Sequence, residues 1–285
     1  MRDDYLTDME TRHSQIRLYI DAPLSVGGAV SLSREHAHYL GTVMRKSVGY
    51  KLAIFNGRDG CFEAEITELN RKAGSLLVQE LMQAQWSSPD LWFLFAPVKK
   101  ARLDYMAQKA TELGASVIWS VRTDYCQVKA VKDERLEANA IEAAEQTERL
   151  DIPTIQPFTD LDALLDDWPE DRLLFFCDER LATPPPQQSP LNDASGKNNS
   201  GENNSDHNGN AARILSQIKP HQKAAVLIGP EGGFSMAEKQ KIDALPASYG
   251  LSLGPRILRA DTAALSVLSL YQALCGDWAD TSPSS

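Results

Sequence analysis

Ala224-Ala225-Val226-Leu227-Ile228-Gly229-Pro230-Glu231-Gly232-Gly233-Phe234-Ser235-Met236-Ala237-Glu238 is the stretch whose reading decides the fold of this 285-residue chain. Its first residues are uniformly apolar and of strand length, as in a strand buried on both faces. Three glycines in five positions follow, which lets a backbone turn sharply and approach a ligand closely. Ser235-Met236-Ala237-Glu238 is then a capping box that opens a helix. Strand, glycine loop and helix make one unit of a parallel α/β sheet, and such sheets bind ligands at the carboxyl ends of their strands. No G-K-[ST] follows the loop, so it is not a Walker A phosphate cradle, nor is it G-x-G-x-x-G. A nucleotide-phosphate enzyme would therefore lack its lysine and its hydroxyl. Spacing alone leaves a plain strand–helix turn open.

A second stretch has the same form. Leu253-Gly254-Pro255-Arg256-Ile257-Leu258-Arg259-Ala260-Asp261-Thr262-Ala263 also leaves a strand and enters a helix. Asp261 or Thr262 suits the N-cap of that helix. Arg256 and Arg259 are not explained that way, because cations at a helix N-terminus oppose its dipole. A functional role is the better account of them.

Working outward, residues 91–285 alternate apolar runs of strand length with helical stretches, the pattern of a parallel sheet. Strands are expected at Leu91–Pro97, Ser116–Val121, Leu173–Cys177, Ala224–Gly229 and Leu251–Gly254. Helices are expected at Arg102–Leu113, Lys132–Arg149, Ala237–Leu245 and Thr262–Cys275. The last is apolar over much of its surface, which fits a core helix or a dimer helix equally. Residues 182–212 are low-complexity, rich in Asn, Ser, Gly and Pro, and read as an expanded surface loop.

The N-terminal part reads as β. Cys61 to Asn70 alternates Phe62, Ala64 and Ile66 with Glu63, Glu65 and Thr67, the period of a half-buried strand. Tyr50–Phe55 precedes it across the turn residues Asn56-Gly57-Arg58-Asp59-Gly60, and Gly74–Leu81 follows. One helix, capped by Ser33, is expected over residues 34–46, with Ala37, Leu40, Val43 and Met44 on its apolar side. Short strands with tight turns suggest a small barrel. The expected organisation is an acidic tail at 1–16, a small β-barrel at 17–88 and an α/β domain at 89–285.

Composition narrows the class. At 42% hydrophobic, the chain has ample material for a core. Its longest apolar stretch, Leu91 to Val98, is far shorter than a membrane span. The opening MRDDYLTDME has no secretory apolar segment. Four scattered cysteines without a C-x-x-C pair argue against a metal site or a disulfide framework and suit a reducing cytoplasm. The net charge of −10 speaks against nucleic acid until it is located. Residues 1–10, 151–180 and 181–212 carry −12 between them, and everything else sums to +2.

Six ordered segments give the chain a resemblance to a known family. Arg17-Leu18-Tyr19-Ile20 looks like its opening strand, and His38 through Val43, Met44 and Arg45 to Gly49 like its helix and turn. Lys109-Ala110-Thr111-Glu112-Leu113-Gly114 matches K-x-T-E-L-G. Ala144-Glu145-Gln146-Thr147-Glu148-Arg149 with Pro153 matches A-x-E-Q-x-x-R…P. The glycine loop and the arginine stretch are its two C-terminal signatures. The chain thus resembles the ribosomal RNA small subunit methyltransferase E family, within the SPOUT methyltransferases. Two departures stand out: Asp261 where Glu is usual, and the insertion at 182–212.

The resemblance implies a C-terminal trefoil-knot parallel-sheet domain preceded by a PUA-like RNA-binding barrel. It implies a cytoplasmic homodimer joined through the knot domain. It implies S-adenosylmethionine-dependent methylation of N3 of a uridine in the decoding region of 16S rRNA, in the small ribosomal subunit. Cofactor contacts would come from Leu227, Ile228, Gly229, Gly232, Gly233, Leu253, Gly254, Ile257, Leu258 and Thr262, largely through backbone groups. Arg259 is the first choice for orienting the base and stabilising the anion, with Arg256 second; Glu231 is a candidate for assisting deprotonation, with helix-start electrostatics or loop hydrogen bonding as an equal alternative. Arg17, His38, Arg45, Lys99 and Arg102 are candidate RNA contacts, joined by Lys46, Arg58 and Lys100; each is open to the alternative of a solvated surface charge. Other readings are a SPOUT enzyme acting on tRNA or large-subunit rRNA, or an inactive RNA-binding assembly factor. No metal and no membrane are expected.

Overall fold

The computed structural model describes residues 15–98, 100–177 and 209–279. Of the expected acidic tail at 1–16 only Gln15 and Ile16 are described, and Ile16 belongs to the first unit's core; Lys99 and most of the 182–212 insertion lie outside the described residues. The chain forms two compact units.

The first unit holds the described residues up to Ser87 together with Ala138–Ile152. Its strands are β1 (Arg17–Tyr19), β2 (Ala29–Leu32), β3 (Lys51–Phe55), β4 (Cys61–Leu69) and β5 (Gly74–Gln83), in the order β1-β3-β4-β5-β2. β1 runs parallel to β3 and the other pairs are antiparallel. The alternation in β4 is realised: Phe62, Ala64 and Ile66 are buried with Leu18, Leu52, Ile54 and Leu76. Asn56 builds the β3–β4 turn, its side-chain oxygen accepting from the backbone N–H of Arg58 and Asp59. β3 is buried at four consecutive residues because its second face is covered too. Ala53 and Phe55 pack there against Ala144 and Leu150. Patterning within 17–88 carries no sign of that cover, since residues 144–152 return to it from far along the chain.

The helix expected over 34–46 is shorter. α1 (Arg34–His38), capped by the Ser33 side chain, passes into a π-type turn at Tyr39–Val43. Met44 N–H reaches back to the Tyr39 carbonyl, and Arg45 adopts φ 53°, outside the helical region. Gly41 and the β-branched Thr42 and Val43 are poor helix formers. The widened turn rotates Val43 and Met44 into solvent, while Ala37 and Leu40 stay in the core.

The second unit comprises Ser88–Glu137 and the described residues from Pro153 onward. Its strands are β6 (Leu91–Phe95), β7 (Val117–Arg122), β8 (Thr154–Asp160), β9 (Leu173–Cys177), β10 (Ala224–Ile228) and β11 (Ser248–Leu251). They form one sheet, ordered β11-β9-β10-β6-β7-β8, and every pairing is parallel. Its helices are α2 (Lys100–Glu112), α3 (Asp133–Gln146, which crosses the boundary between units), α4 (Leu161–Asp166), α5 (Ala211–Leu215), α6 (Met236–Ala244) and α7 (Ala260–Leu274). One sheet face packs Phe93, Phe95, Phe175 and Val226 against α2, α5 and α7. The other packs Leu94, Leu174, Phe176, Ala225 and Leu227 against α4 and α6. Burial on both faces explains the unbroken apolar runs of β6, β9 and β10.

Elements not foreseen are β2 in the first unit and β8, α4 and α5 in the second. β8 is an edge strand with Pro157 inside it and no fully buried residue, so it lacks a hydrophobic signature. β11 falls three residues before its expected place. Its Ser-Tyr-Gly reads as a turn, and it becomes a strand by pairing with β9. The covered face of α7, from Ala260 to Gln272, packs into the core of its own unit.

Candidate active site

Because every strand of the second sheet is parallel, their carboxyl ends share one edge. A cavity of about 280 Å³ opens there, between the ends of β9, β10 and β11 and the start of α7. The glycine loop forms one wall, from Ile228 to Phe234. The segment 251–260 forms another. The two stretches singled out in the sequence thus meet across one space.

Of the expected cofactor residues, Ile228, Gly229, Gly232, Gly233, Leu253, Gly254, Ile257 and Leu258 line the cavity. Leu227 is buried in β10 with its side chain in the opposite core, and Thr262 lies in the first turn of α7. Gly233 (φ 69°) and Gly254 (φ 101°) require the left-handed region, and beside each the space is open. Backbone is therefore presented bare to the cavity. Gly229 has a different reason: Phe234 packs against it, and a side chain there would press on the ring. Leu251, Ala260 and Ala263 add apolar surface. Cys177 joins them. Burial pushes its thiol up to about 12, so it is a neutral wall at neutral pH and not a nucleophile.

Arg256, Arg259 and Glu231 stand at the cavity and are exposed to solvent. Arg259 occupies the N-cap position of α7 but makes no side-chain cap bond. This corrects the expectation that Asp261 or Thr262 caps that helix. Asp261 lies one position inside it and accepts from the Thr262 backbone N–H at 2.9 Å. Its carboxylate favours the helix start electrostatically. Arg102, in the first turn of α2, sits between Glu231 (3.5 Å) and Asp261 (3.9 Å), so it bridges the two walls.

The capping box expected between Ser235 and Glu238 forms. Two further contacts fix the loop, and the sequence did not point to them: the other Glu238 oxygen accepts from the Asp124 backbone N–H at 2.7 Å. Tyr125 follows directly, packed along Gly232. Both belong to the loop after β7, which is brought to this edge only by the parallel sheet. Leu251 and Ser252 line the cavity from outside both quoted stretches, and Phe234, Ala260 and Ala263 line it from within them without having been named as contacts.

The other expected RNA contacts differ in setting. His38 and Arg45 are exposed on the first unit. Lys46 holds its ammonium 4.0 Å over the Tyr50 ring, and Arg58 lies 3.7 Å from Asp21. Arg17 is turned inward. It donates to the Arg149 carbonyl and stacks on Phe55 at 4.9 Å, and burial lowers its pKa. Its guanidinium is engaged inside the unit, where the sequence suggested a phosphate contact. Among the described residues, no group of three or more His, Cys, Asp or Glu is placed to hold a metal. Among the described residues no helix is long and apolar enough to cross a membrane.

The fold and site define a class. Residues 86–272 match the RNA methyltransferase domain family, and residues 32–79 match the RNA methyltransferase PUA domain. The chain belongs to the RNA methyltransferase domain family. Within it, the ribosomal RNA small subunit methyltransferase E of Rickettsia conorii is 29% identical over 90% of this chain and 95% of its own length. A methyltransferase from Legionella pneumophila, solved in complex with the bound cofactor SAM, is 28% identical with a TM-score of 0.74, covering 92% of this chain and 99% of its own. The small subunit methyltransferase E of Neisseria gonorrhoeae has the same fold, at 24% identity and a TM-score of 0.75, over 93% of this chain and 99% of its own. The Rickettsia and Neisseria relatives bear the family name that the sequence motifs suggested.

Proposed function

We propose that this chain is an S-adenosylmethionine-dependent methyltransferase that modifies N3 of a uridine in the decoding region of 16S rRNA. The observation that carries the reading is the meeting of the glycine loop and the arginine-bearing segment on one cavity, in a member of an RNA methyltransferase family. The donor set suits S-adenosylmethionine. Bare backbone at Gly233 and Gly254 offers amides, and Ile228, Leu253, Leu258 and Ala263 offer apolar walls for a purine. When bound, that cofactor supplies a methyl group on a positively charged sulfur.

The chain's own residues then act on the acceptor. Uracil N3 becomes nucleophilic as its proton leaves, and negative charge spreads onto O2 and O4. The Arg259 guanidinium has no hydrogen-bond partner among the described residues and is free to donate to those oxygens. Arg256 adds a second cation at the same rim. Glu231 is the nearby acceptor for the proton, with Arg102 orienting its carboxylate. Holding the two reactants in line supplies much of the acceleration.

Further parts of the reading rest on the same resemblance. The segment after β11 is taken to thread as a SPOUT trefoil knot; the pairing of Ser252 with Asn210 and its bonds to Gly209 and Ala211 support that path. The β unit is taken as a closed PUA-like barrel that contacts RNA through His38 and Arg45, with residues 17–88 as the RNA module and 89–285 as the catalytic domain. A homodimer through the knot domain is supported by Leu265, Ser269 and Ala273, spaced four apart and left partly open on α7. The setting is the cytoplasm, where small subunits are found.

The test is mass spectrometry of 16S rRNA after incubating purified protein, S-adenosylmethionine and small subunits lacking the modification. One added methyl on a uridine of the decoding region is expected. Methylation of tRNA or large-subunit rRNA alone overturns the substrate assignment, and no transfer together with intact cofactor binding overturns the enzyme reading.

A further inference from the structure

Tyr125 is an aromatic side chain that neither the core nor the cofactor cavity uses. It lies in the loop after β7, on the same sheet edge as the glycine loop, and is 53% exposed. Its base is fixed. A Cβ placed on Gly232 would stand 3.4 to 3.6 Å from Tyr125 Cδ2, Cβ and Cγ, so the root of the ring packs along the loop and the rest projects into water. The loop itself is pinned on both sides of the ring. Asp124 N–H is held by the buried Glu238, and Cys126 N–H by the Thr123 carbonyl at 3.0 Å. A large ring held rigid yet left wet gains little from its own fold, so its open face is available to a planar partner at little entropic cost.

Its neighbours indicate what that partner is. Tyr125 touches Gly232, and the Arg102 guanidinium lies 3.5 Å from the adjoining Glu231. An aromatic face and a cation thus flank one two-residue tip, and both residues of the tip line the cavity. Unpaired nucleotides are held by stacking on exposed rings of this kind, while the Arg102 guanidinium is engaged by Glu231 and Asp261 and keeps the tip in place. A uridine whose N3 is to be modified has to leave its stack and pairing, because N3 lies on the pairing edge.

We propose that Tyr125 is the stacking platform that receives the extruded target base. This rests on the RNA methyltransferase reading above and adds a substrate-positioning residue to it.

The test compares wild type with Tyr125→Phe, Tyr125→Leu and Tyr125→Ala. Each is assayed for methyl transfer to unmodified small subunits, for S-adenosylmethionine affinity by calorimetry, and for mass by sedimentation. Tyr125→Phe keeps the ring and is expected within about twofold of wild type. Tyr125→Leu keeps bulk against Gly232 without a π-face; it and Tyr125→Ala are expected to lower kcat/KM for the subunit about tenfold or more, with cofactor affinity and mass unchanged. Equal activity of the Leu and Phe variants overturns the proposal. A parallel fall in cofactor affinity makes Tyr125 a wall of the cavity, and a fall in mass makes it a contact between protein copies; either result overturns it too. If wild type transfers no methyl to RNA, the functional reading fails first, a result distinct from all of these.

Discussion

Arg259 shows how one side chain's position follows from a helix start. It sits at the N-cap of α7, its backbone extended (φ −67°, ψ 154°), so its side chain leaves the helix axis beside the cavity. Replacing it with Ala removes a cation without touching the core. Arg259→Ala is expected to lower kcat by about 100-fold or more, with S-adenosylmethionine affinity retained in calorimetry; wild-type turnover would remove it from the mechanism. Gly254 tests the backbone instead. At φ 101° with open space beside it, a methyl group meets no atom, so the cost of Gly254→Ala is conformational, about 1–3 kcal/mol. Its expected signature is a lower thermal midpoint together with weaker cofactor binding. Glu145 carries a pH effect. Its carboxylate accepts from the Tyr19 backbone N–H, and burial raises its pKa above the ordinary 4.5. A raised carboxyl pKa favours the protonated fold, so its contribution is fully present below the unfolded value and lost as pH rises through the folded one. Glu145→Gln keeps an acceptor and removes the charge. The thermal midpoint of the variant relative to wild type is expected to rise between pH 4 and pH 7, and a constant difference would refute this.

Among the elements, α7 illustrates how a polar residue in an apolar helix can be structural. Gln272 is fully buried. It donates to the Leu113 carbonyl at 2.7 Å and accepts from the Asp277 N–H at 3.1 Å, tying the end of α2 to the turn after α7. Gly114 and Gly276 crowd its amide so closely that a side chain at either would collide with it. Gln272→Leu leaves the part-buried Leu113 carbonyl and Asp277 N–H without this partner and is expected to destabilise by about 1–3 kcal/mol in denaturant unfolding. The elements with strong periodicity or caps were readable in sequence, among them β4, β6, β9, β10 and the capping box of α6. α1 was over-extended, because its apolar repeat continues past the residue where Gly41 and Thr42 loosen the helix. β8 and β11 were missed or misplaced, because an edge strand with Pro157 and a Ser-Tyr-Gly strand owe their state to a neighbour.

For the whole molecule, charge and ligand linkage give the measurable consequences. The acidity lies mainly in the N-terminal tail, residues 151–180 and the insertion, against +2 elsewhere. Few phosphate contacts then imply a shallow salt dependence of subunit binding, since each neutralised phosphate adds to the slope. Ligand binding to the native state alone raises stability by about 2.7 kcal/mol at one hundred times Kd. S-adenosylmethionine at that excess is expected to raise the thermal midpoint, while ATP, for which the loop lacks a P-loop lysine, leaves it unchanged. A larger shift with ATP would refute the reading of the cavity.

The sequence by itself determined the class of the fold, because unbroken apolar strands alternating with capped helices admit a parallel sheet and little else. It also marked the glycine loop and the arginine segment, because glycine and misplaced cations are signals carried by single residues. Only the tertiary structure decided that these stretches share one cavity with the end of β9, that Arg17 turns inward onto Phe55, and that residues 138–152 complete the first unit. It alone brought Tyr125 against Gly232. Each of these is a meeting of residues far apart in the chain, set by strand order and packing, and local composition holds no record of either.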